Sequence, residues 1–179
     1  EIQQTIKVMG GEDWELWLNA LGEADLLADN CKTTAYTYVG KELTWPIYGQ
    51  ATIGKAKEDL DRAAASIVKS KADKNVQAYV SSLKALVTQA SSAIPVMPLY
   101  ISLIYKVMKE EGTHQGCIEQ IYDLFTDKLT QAQPEVDELG RLYMNSKETN
   151  DATQAKIKAL WDQVTQENFH DLSDYEGYH

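Results

Sequence analysis

The chain has 179 residues, with 17 Lys and Arg against 27 Asp and Glu, and so carries a net charge of −10. That balance argues against nucleic acid as a partner, because a phosphate backbone has to be met by clustered cations. Hydrophobic residues make up 44% and charged residues 25%, the proportions of an ordinary globular protein, and one domain is the natural count at this length. No apolar run approaches the ~20 residues that span a bilayer. The most apolar stretch, 93–107, is interrupted by Pro95, Pro98 and Lys106 and reads as a buried helix. The first residues show no basic segment followed by an apolar core, so no secretory signal is expected. Cys31 and Cys117 carry no metal-like spacing, which suits free thiols in a reducing compartment: the cytoplasm, or alternatively the mitochondrial matrix.

In chain order, residues 12–24 set Trp14, Leu16, Trp17, Leu18 and Leu21 among acids, as an amphipathic helix would. The β-branched and aromatic run 33–39 reads as a strand, which Gly40 ends. A loop with proline and glycine covers 40–50. A long helix is expected over 52–71, with Leu60, Ala63, Ala64 and Ile67 on one face, and a second strand over 78–87. Pro98 suits the first turn of a third helix, to about Glu110. Further helices are expected over 115–130 and 152–166, with a polar, flexible loop at 145–151. Two strands cannot make a stable parallel sheet alone. The pattern therefore reads as one section of an α/β fold.

The chemistry concentrates between Tyr38 and Lys57. Tyr38 ends a predicted strand, where ligands bind in open α/β sheets. Tyr48 precedes the long helix, and Lys57 lies about a turn inside it, with eight residues between the two. A phenol of pKa ~10 is a sluggish acid at neutral pH, and a nearby ammonium can stabilise its phenolate. Such a tyrosine can donate to an oxygen that gains negative charge. With ten tyrosines in the chain, however, most Tyr/Lys pairs serve packing or surface. Lys55 competes with Lys57, and two positions apart on a helix they point to opposite sides. Other candidates are weaker. His114 and His170 have no second ligand at metal spacing, and Cys117, beside Ile118 and Ile121, reads as core. Trp14, Trp17 and Trp161 read as buried packing.

Residues 6–14 (I-K-V-M-G-G-E-D-W), the T-W-P-I-Y and T-I-G-K-A-K of 44–57, K-A-L-V-T-Q-A-S-S-A-I-P-V-M-P-L-Y at 84–100, G-T-H-Q-G-C-I-E-Q at 112–120 and L-S-D-Y-E-G-Y at 172–178 together resemble the trans-2-enoyl-CoA reductases. These are the V-type enoyl-ACP reductases, relatives of the short-chain dehydrogenases. The resemblance spans nearly all of the chain. It implies an α/β, Rossmann-like parallel sheet with additional carboxyl-terminal helices. The whole of 1–179 would be one carboxyl-terminal segment, with the catalytic unit in 33–88 and substrate-pocket and packing helices in 93–179.

The implied activity is NADH-dependent reduction of the C2=C3 bond of trans-2-enoyl-CoA or enoyl-ACP thioesters in fatty acid synthesis. The family's Tyr-x8-Lys motif falls on Tyr48 and Lys57, with an auxiliary tyrosine at Tyr38. Lys57 would also hold the cofactor ribose and depress the Tyr48 pKa. Thr88 would contact the cofactor, and Ile94, Leu99 and Leu103 would line the acyl pocket with Tyr38 and Tyr48.

The chain departs from the family pattern after Arg141. Where the family has D-D-W-E-L, this sequence runs Leu142 to Thr149 as L-Y-M-N-S-K-E-T, which suggests a lost contact or a surface loop. The glycine-rich cofactor fingerprint is also not found, and in the family it lies in an amino-terminal part. The chain would thus work with a cofactor-binding half from the same gene or a separate chain. The competing reading is a structural subunit that keeps the family fold without catalysis; retention of Tyr38, Tyr48, Lys57 and Thr88 together counts against it.

Overall fold

The β-branched and aromatic run Lys32–Thr37 forms strand β1, and Gln77–Ser82 forms β2. The two pair in parallel in the computed structural model, which describes residues 1–178, with Lys32 opposite Gln77 and Thr37 opposite Ser82. Parallel neighbours cannot be joined by a tight turn and need a crossover. Here it consists of the single-turn helix α3, Trp45–Tyr48, and the long helix α4, Thr52–Ser70. A two-residue strand, β3 at Leu142–Tyr143, pairs in parallel with β2, giving the order β1-β2-β3. The fold is thus the expected parallel α/β arrangement, with a strand that the sequence reading did not anticipate.

Before the sheet come α1, Ile2–Met9, and α2, Glu12–Glu23. Helix α4 turns Ala56, Ala63 and Ile67 inward, each at most 1% exposed. Beyond β2 lie the single turn α5, Gln89–Ser92, and α6, Met97–Glu110. Helix α6 is the centre of the larger core: Tyr100, Ile101, Leu103, Ile104, Val107 and Met108 are all buried. Helix α7, Cys117–Asp123, runs into a π-helical stretch, Leu124–Leu129, so the helix expected over 115–130 is shorter and changes winding. Helix α8, Asp151–Trp161, packs on α6 through the buried Ile157. The single turns α9, Phe169–Leu172, and α10, Tyr175–Tyr178, follow.

Several expectations are corrected. β2 ends at Ser82 rather than continuing to 87: Leu83 N–H still donates to the Thr37 carbonyl, but the donors after it are taken by side chains, Lys84 N–H by Gln120 at 3.0 Å and Ala85 N–H by Glu148 at 2.7 Å. The segment 145–151 is no loose surface loop, since Asn145, Glu148 and Thr149 are buried. Trp17 is 69% exposed, and Cys117 is exposed rather than core. No helix among the described residues is long and apolar enough to cross a membrane.

One close approach fixes α3 against α4. A Cβ added at Gly54 would press into the carbonyl oxygen of Gly49 and lie 3.1 Å from that of Tyr48. Both are backbone atoms and cannot swing aside. Gly54→Ala is therefore expected to destabilise the chain by roughly 1–3 kcal/mol, the usual cost of overpacking, read as a lower midpoint in denaturant unfolding. An unchanged midpoint would show that α3 is free to shift.

Candidate active site

The three strands leave the sheet on the same side, at their carboxyl ends. Tyr38 directly follows β1, and Leu83, Lys84 and Ala85 follow β2. Asn145, just past β3, ties these exits together: its side-chain amide donates to the Val39 carbonyl at 2.9 Å, and its oxygen accepts from Ser82 at 3.1 Å. α3 and the first turns of α4 begin at this same edge, as a parallel crossover requires. Ligands of open α/β sheets bind at such carboxyl ends. A cleft of about 610 Å³ opens here, and Tyr38, Tyr48, Lys57 and Thr88 all line it, with Lys84 and Ile94.

Within it the Tyr38 and Tyr48 rings meet edge to face, 4.8 Å between centroids. The Lys57 ammonium stands 5.2 Å from the centre of the Tyr48 ring and donates to the Thr37 hydroxyl at 2.8 Å. Lys55 faces away and pairs with Glu58 at 2.8 Å on the exposed side of α4. No Asp or Glu lines the cleft, although the chain as a whole is strongly acidic. Among the described residues Lys57 has no carboxylate partner, so two of its three N–H donors remain available.

Burial governs the titrations. Lys57 is pushed down to about 8 by desolvation and, less, by the Arg141 guanidinium, with Asp61 opposing. Tyr48 is raised, by burial first and by the Glu148 carboxylate second. Its pKa is thus not depressed by Lys57 as expected. The ammonium lies over the ring and against Thr37 rather than beside the hydroxyl, and Tyr48 stays a neutral donor at physiological pH. No described residue takes a hydrogen bond from the Tyr48 hydroxyl, which leaves its proton for a ligand.

Tyr38 is different. Its hydroxyl donates to Glu148 at 2.8 Å and lies 3.3 Å from the Thr44 hydroxyl. Burial pushes it well up, with Glu148 adding to the effect. Thr88 is not at the end of a strand: it caps α5, its hydroxyl accepting the Ser91 N–H at 3.1 Å. Of the apolar residues assigned to the acyl pocket, Ile94 lines the cleft, together with Met97. Leu103 is instead fully buried in the core around α6, and Leu99 packs against that core without lining the cleft. The sequence reading missed Thr37, Lys84 and Glu148. For Glu148 a signal existed, because Asn145–Thr149 (N-S-K-E-T), set beside D-D-W-E-L, keeps the glutamate in fourth place.

A parallel sheet carrying a tyrosine and a lysine nine positions apart at one carboxyl-edge cleft is a Rossmann-like α/β arrangement with a candidate active site. Residues 1–130 match the family described as the trans-2-enoyl-CoA reductase catalytic region, and residues 136–179 match the enoyl reductase FAD binding domain; the chain belongs to the trans-2-enoyl-CoA reductase family. It is 82% identical over 179 residues to the enoyl-[acyl-carrier-protein] reductase [NADH] of Pseudoalteromonas atlantica, covering 100% of this chain and 46% of that protein. Against the protein of the same name from Burkholderia ambifaria it is 55% identical over 178 residues, covering 99% and 44%. Among solved structures, Clostridium acetobutulicum trans-2-enoyl-CoA reductase in complex with NADH superposes with a TM-score of 0.96 at 43% identity, over 99% of this chain and 45% of that one. Treponema denticola trans-2-enoyl-CoA reductase in complex with NAD gives 0.94 at 44% identity, over 99% and 45%. The chain thus spans about half the length of the relatives it matches.

The residues present fit a nicotinamide cofactor's ribose, since Lys57 offers unused donors to hydroxyl groups in a cleft free of carboxylates. They do not fit FAD in 136–179. Three of the cations there are already committed, Arg141 to Asp61, Lys156 to Glu111 and Lys158 to Asp162 and Glu42. Moreover, α8 opens on Asp151, whose charge would repel a pyrophosphate.

The Lys57 titration is measurable. Its folded pKa of about 8 lies below the ordinary 10.5, so the fold favours the neutral amine. That contribution is present above about pH 10.5 and is lost as pH falls through 8. Lys57→Met should therefore gain stability relative to the unmodified protein between pH 10 and pH 7, by on the order of 1–2 kcal/mol. Denaturant unfolding at the two pH values checks this. Equal differences at both would mean that Lys57 is not desolvated.

Proposed function

We propose that this chain is the carboxyl-terminal catalytic section of an NADH-dependent reductase that saturates the C2=C3 bond of trans-2-enoyl thioesters of CoA or acyl carrier protein in fatty acid synthesis. The observation that carries this reading is the meeting of a free Tyr48 hydroxyl and a carboxylate-free Lys57 ammonium in one cleft. The family's solved NADH and NAD complexes support the choice of cofactor. NADH, when bound, supplies the hydride to the β-carbon. The thioester carbonyl then gains negative charge as an enolate, the Tyr48 hydroxyl donates to that oxygen in the manner of an oxyanion hole, and a proton taken up at the α-carbon completes the saturated product. Lys57 holds ribose hydroxyls with the donors that Thr37 does not use.

The edge-to-face contact with Tyr38 fixes the Tyr48 ring, and Ile94 and Met97 give the acyl chain a dry wall. The cofactor's phosphates would be held by a glycine-rich helix start in a further part of the enzyme, on the same polypeptide or on a partner chain. The bacterial sources of the relatives favour a cytoplasmic location over a mitochondrial one.

Steady-state kinetics of the complete enzyme with NADH and an enoyl thioester test this directly. Tyr48→Phe should lower kcat/KM by about 10²–10³, the usual loss for one oxyanion donor. Lys57→Met should lose at least about tenfold while Lys55→Met changes it less than about twofold. Equal losses at the two lysines, or a larger loss at Lys55, would reverse the assignment.

A further inference from the structure

Glu148 lies 110 residues from Tyr38 in sequence and is fully buried. It receives three hydrogen bonds. One carboxylate oxygen accepts from the Tyr38 hydroxyl at 2.8 Å and the Tyr100 hydroxyl at 2.9 Å; the other accepts from Ala85 N–H at 2.7 Å. Gln154 supports the cluster from α8, donating to the Tyr100 oxygen at 3.0 Å and to the Glu148 carbonyl at 2.8 Å. No ion pair to Glu148 forms among the described residues, and Lys84 acts on it only from a distance. A buried, unpaired carboxylate is costly, and a purely structural role could be met by a neutral amide. Its side chain is not among those lining the cleft, so it must act through a residue that is.

We propose that Glu148 is the positioning residue of the tyrosine pair: it draws the Tyr38 proton inward, so that Tyr48 alone presents a donor to the cleft. This rests on the reductase reading. A phenol has a single proton, and with Glu148 ionised the Tyr38 proton points away from any ligand. The rings are locked in their 4.8 Å edge-to-face contact, so the Tyr48 hydroxyl is aimed while its neighbour cannot compete for the same oxygen. Protonation of Glu148 turns an acceptor into a donor toward the tyrosines, and the Tyr38 proton is released to rotate. Burial raises the Glu148 pKa above the usual carboxylate range, so the change comes at a higher pH than it would for an exposed carboxylate. The groups that face the carboxylate are Tyr38 and Thr44 from the β1–α3 segment, Lys84 and Ala85 after β2, Tyr100 from α6 and Gln154 from α8. None of them is another carboxyl group, and Lys84 is the one cation among them.

The test is the pH profile of kcat in the complete enzyme for the unmodified protein, Glu148→Gln, Tyr38→Phe and the double variant, with NADH and one enoyl thioester. The unmodified enzyme should lose kcat on the acid limb as Glu148 takes up its proton. Both single variants should lose that limb and, because each removes the Tyr38–Glu148 hydrogen bond that anchors the ring pair, fall by about 10–100-fold in kcat, with KM for NADH within about twofold. The double variant should be little worse than either single one, because the two residues act as one unit. Tyr38→Phe removes a single oxygen, and it keeps the test decisive should Glu148→Gln fold poorly. A flat acid side in the unmodified enzyme, an acid limb retained in both single variants, or additive losses in the double variant would overturn the proposal. Absence of NADH-dependent reduction by the unmodified enzyme would instead sink the reductase reading.

Discussion

Parallel pairing of β1 with β2 is the constraint on which the rest of the structure depends. Because parallel neighbours need a crossover, the chain must leave β1 at its carboxyl end, turn through α3 and run back along α4. That path sets Tyr38 at the end of the strand, Tyr48 on the turn and Lys57 in the early helix on one edge of the sheet. Gly54 then brings α3 within backbone contact of α4, converting a sequence spacing into a fixed juxtaposition of phenol and ammonium. The Tyr48–Lys57 geometry is therefore a consequence of topology, and little extra structure is needed to hold it.

What the topology does not supply is polar support behind the cleft, and residues 142–149 supply that. β3 adds only two residues to the sheet, yet it delivers Asn145 to the exits of β1 and β2 and Glu148 to the Tyr38 and Tyr100 hydroxyls. Lys57, Lys84 and Glu148 are all desolvated, and each titrates in the direction that burial imposes. Such groups weaken a fold and cluster at functional sites. Their concentration around one cleft is consistent with a site that trades stability for preorganised donors.

The fold was legible where periodicity was strong. Strand β1 and helices α4 and α6 carry β-branched or apolar patterns that their burial explains, and Tyr48 and Lys57 follow from a spacing within one local unit. Elsewhere the signal was non-local. A two-residue strand has no period to read. The 145–151 segment looks like a solvated loop by composition, but it is buried because its polar groups find partners 63 and 110 residues away in sequence. Leu103 is expected on the ligand wall from its helix, but it is turned into the core, and only the start of α6, Met97, with Ile94 before it reaches the cleft. Trp17 shows the converse. Its indole suggests a core contact, but it stands at the surface of this chain.

The most direct measurement is a structure of the complete enzyme with NADH and an unreactive saturated thioester. The account predicts the thioester carbonyl oxygen within roughly 2.6–3.2 Å of the Tyr48 hydroxyl, a ribose hydroxyl at the same reach of the Lys57 ammonium, and the Tyr38 hydroxyl still turned toward Glu148. A carbonyl held by Tyr38, with Tyr48 packed away from the ligand and Lys57 bonded to Thr37 alone, would contradict it.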